Sequence, residues 1–352
     1  MTSTEPKSPA SRIESLALVA GLGSVVLSFG VVLLVQWGRL APLGGTGSVA
    51  AVALPSVAVT SAGAFIWAYI RHADGGVRWR RRHPFRRVLD VLGLTLTGVG
   101  VAVLLTASML EVFGLAFVGL QLNAVTTATL VAALAGVSAY ALSLIASQLT
   151  SSTLATLLTL FLVAGVFTSM LTADDPEWWQ RNFSALGMGT QTSSFAFNLT
   201  ILIAGLAILV LSDYLTIDLL SRRRSGRGGV RIVRFALAVV GVALVGVGSV
   251  PVNLSVPVHN TFSTLALVGF TLLIVLTPIV LRGLPLAFIL TTVVFLGLII
   301  AGVALFVVGE VNLTALELIA VLVIFTWLIL FTRSASTGRT SSAAPTDDNG
   351  RP

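Results

Sequence analysis

Acyl-transfer chemistry needs a nucleophile, a base beside it and a group that orients the base. This chain offers one such set: Ser184, His259 and the Asp174–Asp175 pair. The topology derived below puts all of them on one face of the protein. Their spacing does not specify a triad, because Ser and Asp are ordinary loop residues, and an enzyme is the minority reading. Metal chemistry has less to work with. Of His72, His83 and His259, only His259 falls on that face, so a zinc site would depend on carboxylates for its remaining ligands. The chain has no Cys, which excludes disulfides, thiolate metal sites and a Cys nucleophile. Gly-rich phosphate loops and dinucleotide fingerprints are absent as well, and neither a metal nor a cofactor is expected.

The polar residues of interest sit in two short stretches. One is DDPEWWQRNFSALGMGTQTSSFAFN, residues 174–198, and the other is PVNLSVPVHNTF, residues 251–262. In the first, Pro176 can open a short helix, and Trp178 and Trp179 suit the headgroup belt, where an amphipathic ring is half wet. Asn198 falls about a turn inside an apolar segment, where it must find a hydrogen-bond partner. Together, Asp174, Asp175, Trp178, Trp179, Ser184, Asn198, His259 and Asn260 form the expected pocket.

These stretches are positioned by elements of another character. Hydrophobic residues make up 56% of the 352 and charged residues 10%, with a mean hydropathy of +0.99. A soluble domain carries about a quarter of its residues charged. Apolar runs of about twenty residues, each able to cross a bilayer, recur at 16–37, 48–70, 88–110, 123–147, 153–171, 194–216, 232–250, 261–281, 286–308 and 314–332. The fold class that follows is all-α: a polytopic membrane protein of about ten transmembrane helices. Lys7 and Arg12 precede the first run, which is longer than a signal-peptide core and lacks a convincing cleavage site, so it is expected to be retained. Residues 333–352 read as a disordered tail.

Charge orients the helices. With both termini in the cytoplasm, all but Arg39 and Arg181 of the 21 basic residues fall inside, and Glu111, Asp174, Asp175, Glu177 and Glu310 lie at or beyond the outer face. This satisfies the positive-inside rule and predicts a multi-pass protein of the plasma membrane. The formal charge of +7 is therefore not directed at nucleic acid. Arg78, Arg80, Arg81, Arg82, Arg86 and Arg87, and the second cluster Arg222, Arg223 and Arg224, are expected to contact anionic inner-leaflet lipid, at about 1 kcal/mol per charge. Membrane lipids are the expected partners; oligomeric state is not legible.

Ionisable residues within the spans are few. Asp90 is expected to pair beside Arg86 and Arg87, and Asp213 and Asp218 to face the Arg222–Arg224 cluster. Glu317 lies about a turn inside its helix, where an acid suits the helix dipole. No chain of buried acids resembles a proton relay. The first four spans are nearly devoid of functional side chains, and the last six carry the polar outer loops. This predicts a cytoplasmic lead at 1–15, a four-span region at 16–150 and a six-span core at 151–332.

The order D-P-x-W-W, then F-S-x-L-G, then F-N in the following span, then H-N after the next, resembles a prokaryotic family of six-span membrane proteins. That family is catalogued as domain of unknown function 998. The matching residues are Phe183, Ser184, Leu186, Gly187, Phe197, Asn198 and His259, and the resemblance covers about 153–332. It implies the six-span fold and brings no activity with it. The preference for Arg over Lys, as in a GC-rich genome, implies an actinobacterial member with a four-span extension. The first expectation for function is a non-enzymatic lipid-binding or membrane-organising protein with a pocket on the extracytoplasmic face. A transporter for a lipidic or small neutral solute comes second, and an envelope-lipid hydrolase or transferase third.

Overall fold

A hydrocarbon environment leaves a backbone no water to bond, so a segment crossing it must satisfy every N–H and C=O internally, as a helix does. The computed structural model describes residues 9–43, 47–73, 84–189, 192–221 and 226–336, and among them ten long helices each contain an apolar stretch sufficient to cross a membrane. They are α1 (Pro9–Val35), α2 (Ala50–Ala73), α3 (Pro84–Ala116), α4 (Ala124–Ser147), α5 (Ser151–Leu171), α6 (Thr192–Leu220), α7 (Arg227–Ser249), α8 (Val256–Val280), α9 (Leu286–Val307) and α10 (Leu313–Ser336). The protein is a polytopic all-α membrane protein. α10 runs to Ser336, so Arg333 sits on the helix and not in a tail. Residues 337–352 lie outside the described residues.

One departure from pure helix is a pair of two-residue strands, β1 (Ala41–Pro42) and β2 (Gln121–Leu122), paired antiparallel where the sequence suggests only loops. Two connections at helix ends thereby satisfy each other's backbone groups.

The chain divides into two compact units, and α5 and α6 contribute residues to both. The first comprises Met1–Leu149, Leu160–Asp174 and Gly189–Ala204; the second comprises Thr150–Thr159, Asp175–Met188 and Gly205–Pro352. In the first unit α4 packs on α1 and α2, and α2 on α3. Small residues set the approach. A side chain added at Gly21 would meet the Gly136 carbonyl at 3.2 Å, and one at Gly136 would meet the Gly21 carbonyl at 3.3 Å. Small faces of this kind replace the hydrophobic drive that is missing between helices in lipid. Ser108 and Thr168 add a hydroxyl–hydroxyl bond of 2.8 Å in the same unit.

In the second unit α7 packs on α8 and α9 on α10. α6 approaches α7 so closely that a Cβ at Gly205 would lie 2.6 Å from the Gly241 carbonyl. α9 leaves Leu286, Leu290, Val293, Ile300 and Val307 exposed, the face of a helix that meets lipid. It ends in a Schellman turn: the Gly309 N–H reaches Phe306 O at 3.1 Å and the Glu310 N–H reaches Leu305 O at 2.9 Å. Gly309 has φ +82°, a left-handed conformation that suits glycine.

The end of this unit away from the α7–α8 connection is closed by internal pairs. Ser151 donates to Asp218 at 2.5 Å, and both residues are buried. Arg234 donates to Asp213 at 2.7 Å. Trp327, stacked on Phe331, gives its indole N–H to Thr292 at 3.0 Å. Asp213 and Asp218 thus find partners on α7 and α5; Arg222–Arg224, the partners expected from sequence, lie outside the described residues.

Candidate functional site

The segment 175–188 folds on its own side chains. Asp175 accepts the Glu177 N–H at 2.9 Å and pairs with Arg181, an Asx-type turn that leads past Pro176. A 3-10 turn follows at Trp178–Gln180, then a second at Phe183–Gly187. Asn182 starts the second turn by accepting the Ala185 N–H at 3.0 Å. The Trp pair divides. Trp178 is buried, its ring 5.5 Å from that of Phe183, whereas Trp179 is 50% exposed. Only Trp179 is free to act as the interfacial anchor expected of both.

Three tethers fix this segment to the helices of its unit. Asn312 caps α10 by accepting the Ala315 N–H at 2.9 Å, and its amide donates to the Trp179 carbonyl at 2.9 Å. Glu317, one turn further along α10, accepts the Phe183 N–H at 2.7 Å. His259, in the first turn of α8, meets the Ser184 hydroxyl at 3.2 Å through Nε2. The first two bring a charge or an amide to backbone groups that loops near a membrane must satisfy. The third joins two side chains that can exchange a proton.

The His259 ring is 3% exposed, and its Nδ1 lies 2.7 Å from the Val250 carbonyl. A carbonyl oxygen only accepts, so Nδ1 carries the hydrogen in the neutral ring. Nε2 is then a lone-pair acceptor, and the Ser184 hydroxyl donates to it. Val250 is the C-cap residue of α7. Its carbonyl is one of the groups a helix end leaves unbonded and lies at the negative end of the helix dipole. The backbone end of α7 therefore occupies the place that a carboxylate holds in a Ser–His–Asp triad. Asp175, one of the two acids considered, pairs with Arg181 and accepts the Glu177 N–H, and the His259 ring is oriented by a carbonyl.

The other expected residues are described each in its own unit. Asn260 is exposed on α8, one residue beyond His259. Asp174 is exposed and Asn198 is partly buried on α6; both belong to the first compact unit. Arg78, Arg80, Arg81, Arg82, Arg222, Arg223 and Arg224 lie outside the described residues, and the side chains of Arg86 and Arg87 on α3 are likewise not described. Among the described residues, no group of three or more His, Asp or Glu side chains gathers as metal ligands.

Two contributors escape a reading of the sequence. Glu317 stands out there as the one acid a turn inside a helix, a visible signal whose target, a backbone N–H far away in sequence, is not visible. Asn312 carries the signature of an N-cap, with no sign that its amide also reaches Trp179.

Several of the motif residues quoted above meet here. Ser184 bonds His259, the Phe183 N–H bonds Glu317, and Leu186 and Gly187 are the buried residues of the second turn. No curated protein and no solved structure matches this chain. A family model described as "Protein of unknown function (DUF998)" matches residues 153–334, just over half of the chain. The chain therefore belongs to the DUF998 family of proteins of unknown function.

Proposed function

We propose that the protein binds and organises membrane lipid, and that the loop end of its second unit holds the headgroup and ester region of a lipid on the extracytoplasmic face of the plasma membrane. The supporting observation is the division of surfaces at that end. Ser184 remains partly exposed and Trp179 half exposed, while Leu254, Val256, Val307 and Val308 at the adjoining helix ends are exposed as well. A lipid presents the same division, with polar ester and headgroup atoms above acyl chains, and Trp favours the depth where the two meet. The charge asymmetry of the sequence supports the orientation, because the positive-inside rule assigns the Arg-rich connections to the cytoplasmic side.

Native mass spectrometry of the full chain released from its own membranes tests this directly. The expected result is a retained lipid in the wild type and clearly reduced retention when Trp179→Ala and His259→Leu are combined. Protein that carries no lipid, or carries the same lipid in both forms, overturns the proposal.

A further inference from the structure

We infer that Ser184 is an acyl-accepting nucleophile with His259 as its base, so that the lipid-binding end also transfers or hydrolyses an acyl ester of lipid. The inference rests on the lipid proposal for its substrate class and on geometry for its chemistry.

The geometry is specific in direction. The Ser184 hydroxyl lies 3.2 Å from Nε2 of His259, and Nδ1 is held 2.7 Å from the Val250 carbonyl. With Nδ1 committed as a donor, Nε2 can only accept, which is the state a general base requires. The ring is buried, so its orientation is held by packing as well as by the two bonds. Ser184 is partly exposed, whereas His259 is buried. Two other serines of this unit are arranged differently: Ser151 faces a carboxylate in a buried site, and Ser249 bonds the Val245 carbonyl of its own helix.

The step balances without an added oxidant or reductant. Ser184 Oγ attacks the ester carbonyl carbon as its proton passes to His259 Nε2. The carbonyl–oxygen bond to the lipid alcohol breaks, and that alcohol leaves with the proton from Nε2. The acyl group is now esterified to Ser184. Water, or the hydroxyl of a second lipid, then attacks the acyl carbon while giving its proton to Nε2. Fatty acid or a new ester departs, and Oγ takes the proton back. While Nε2 is protonated, the Val250 carbonyl and the negative end of α7 face the charged ring, the favourable end of a helix for a cation.

The test uses the purified full chain in lipid nanodiscs with a long-chain alkyl fluorophosphonate, a probe that phosphonylates activated serines, and peptide mapping of the adduct. Ser184 is expected to react at least about a hundredfold faster than exposed Ser249, the range expected of general-base assistance. His259→Gln is expected to lower labelling at Ser184 by at least about a hundredfold. Ser151→Ala is expected to leave it unchanged. Because His259→Gln could fail to fold, the Ser184-to-Ser249 ratio within the wild type stands as an independent readout. No preference for Ser184 in the folded wild type, or equal labelling of a folded His259→Gln protein, overturns the inference. Lipid retained with no adduct at Ser184 rejects the nucleophile and leaves lipid binding intact. An adduct at Ser184 with no lipid retained rejects the lipid substrate class.

Discussion

Two serines of the second unit each donate a hydroxyl proton to a strong acceptor, at opposite ends of the unit, and they serve different ends. Ser151 donates to Asp218 at 2.5 Å with both residues buried; Ser184 donates to His259 at 3.2 Å and remains partly exposed. Imidazole is a commoner general base than a carboxylate for a hydroxyl as it attacks, because its proton affinity is better matched to neutral pH. The first pair closes a helix contact, and the second leaves a partly exposed hydroxyl beside an imidazole. The lesson is that a polar contact in a membrane protein is read from its exposure and the basicity of its acceptor, and not from its presence alone.

Substitutions that separate the two pairs follow in order of effect. Asp218→Ala removes the buried acceptor and leaves the Ser151 hydroxyl without it; thermal unfolding in detergent should show a loss of about 1.5–3 kcal/mol, the range for a hydrogen bond to a charged group. Glu317→Ala is next. It frees the Phe183 N–H, with an expected cost of about 1–2 kcal/mol, and hydrogen exchange over 175–188 should accelerate. Glu317→Gln retains an oxygen acceptor and should restore most of the protection. Ser184→Ala is milder, because water can reach that site: an expected cost of at most about 1 kcal/mol, read by the same unfolding assay. Were Ser184→Ala to destabilise as much as Asp218→Ala, Ser184 would be a structural contact like Ser151. Trp179→Ala is the smallest in stability, within about 0.5 kcal/mol as for other surface changes, yet it should weaken quenching of the remaining Trp signal by brominated lipid.

The same contrast explains what the sequence could tell. The ten spans are legible because a run of about twenty apolar residues has few alternatives. Their ends are less so. The eighth span reads as starting at 261, but α8 starts at Val256, since Pro257 suits a helix's first turn and the polar residues His259 and Asn260 hide that turn from a hydropathy window. That Ser184 and His259 share one face follows from counting helices. That they touch depends on a 3-10 turn at Phe183–Gly187, fixed by Asn182, Glu317 and Asn312, and such tertiary tethers leave little trace in local composition. The Trp178–Trp179 pair looks uniform in sequence, and only packing against Phe183 separates a core ring from a surface one.

The central claim is that lipid engages the loop end of the second unit. Photocrosslinking the full chain in nanodiscs with a phospholipid carrying a diazirine near its ester linkage tests it most directly. The account predicts adducts concentrated at Trp179, Ser184 and the 254–259 segment, with few around Asp218 and Arg234. Adducts spread evenly along the exposed helices, or gathered at the Asp218 end, would contradict it.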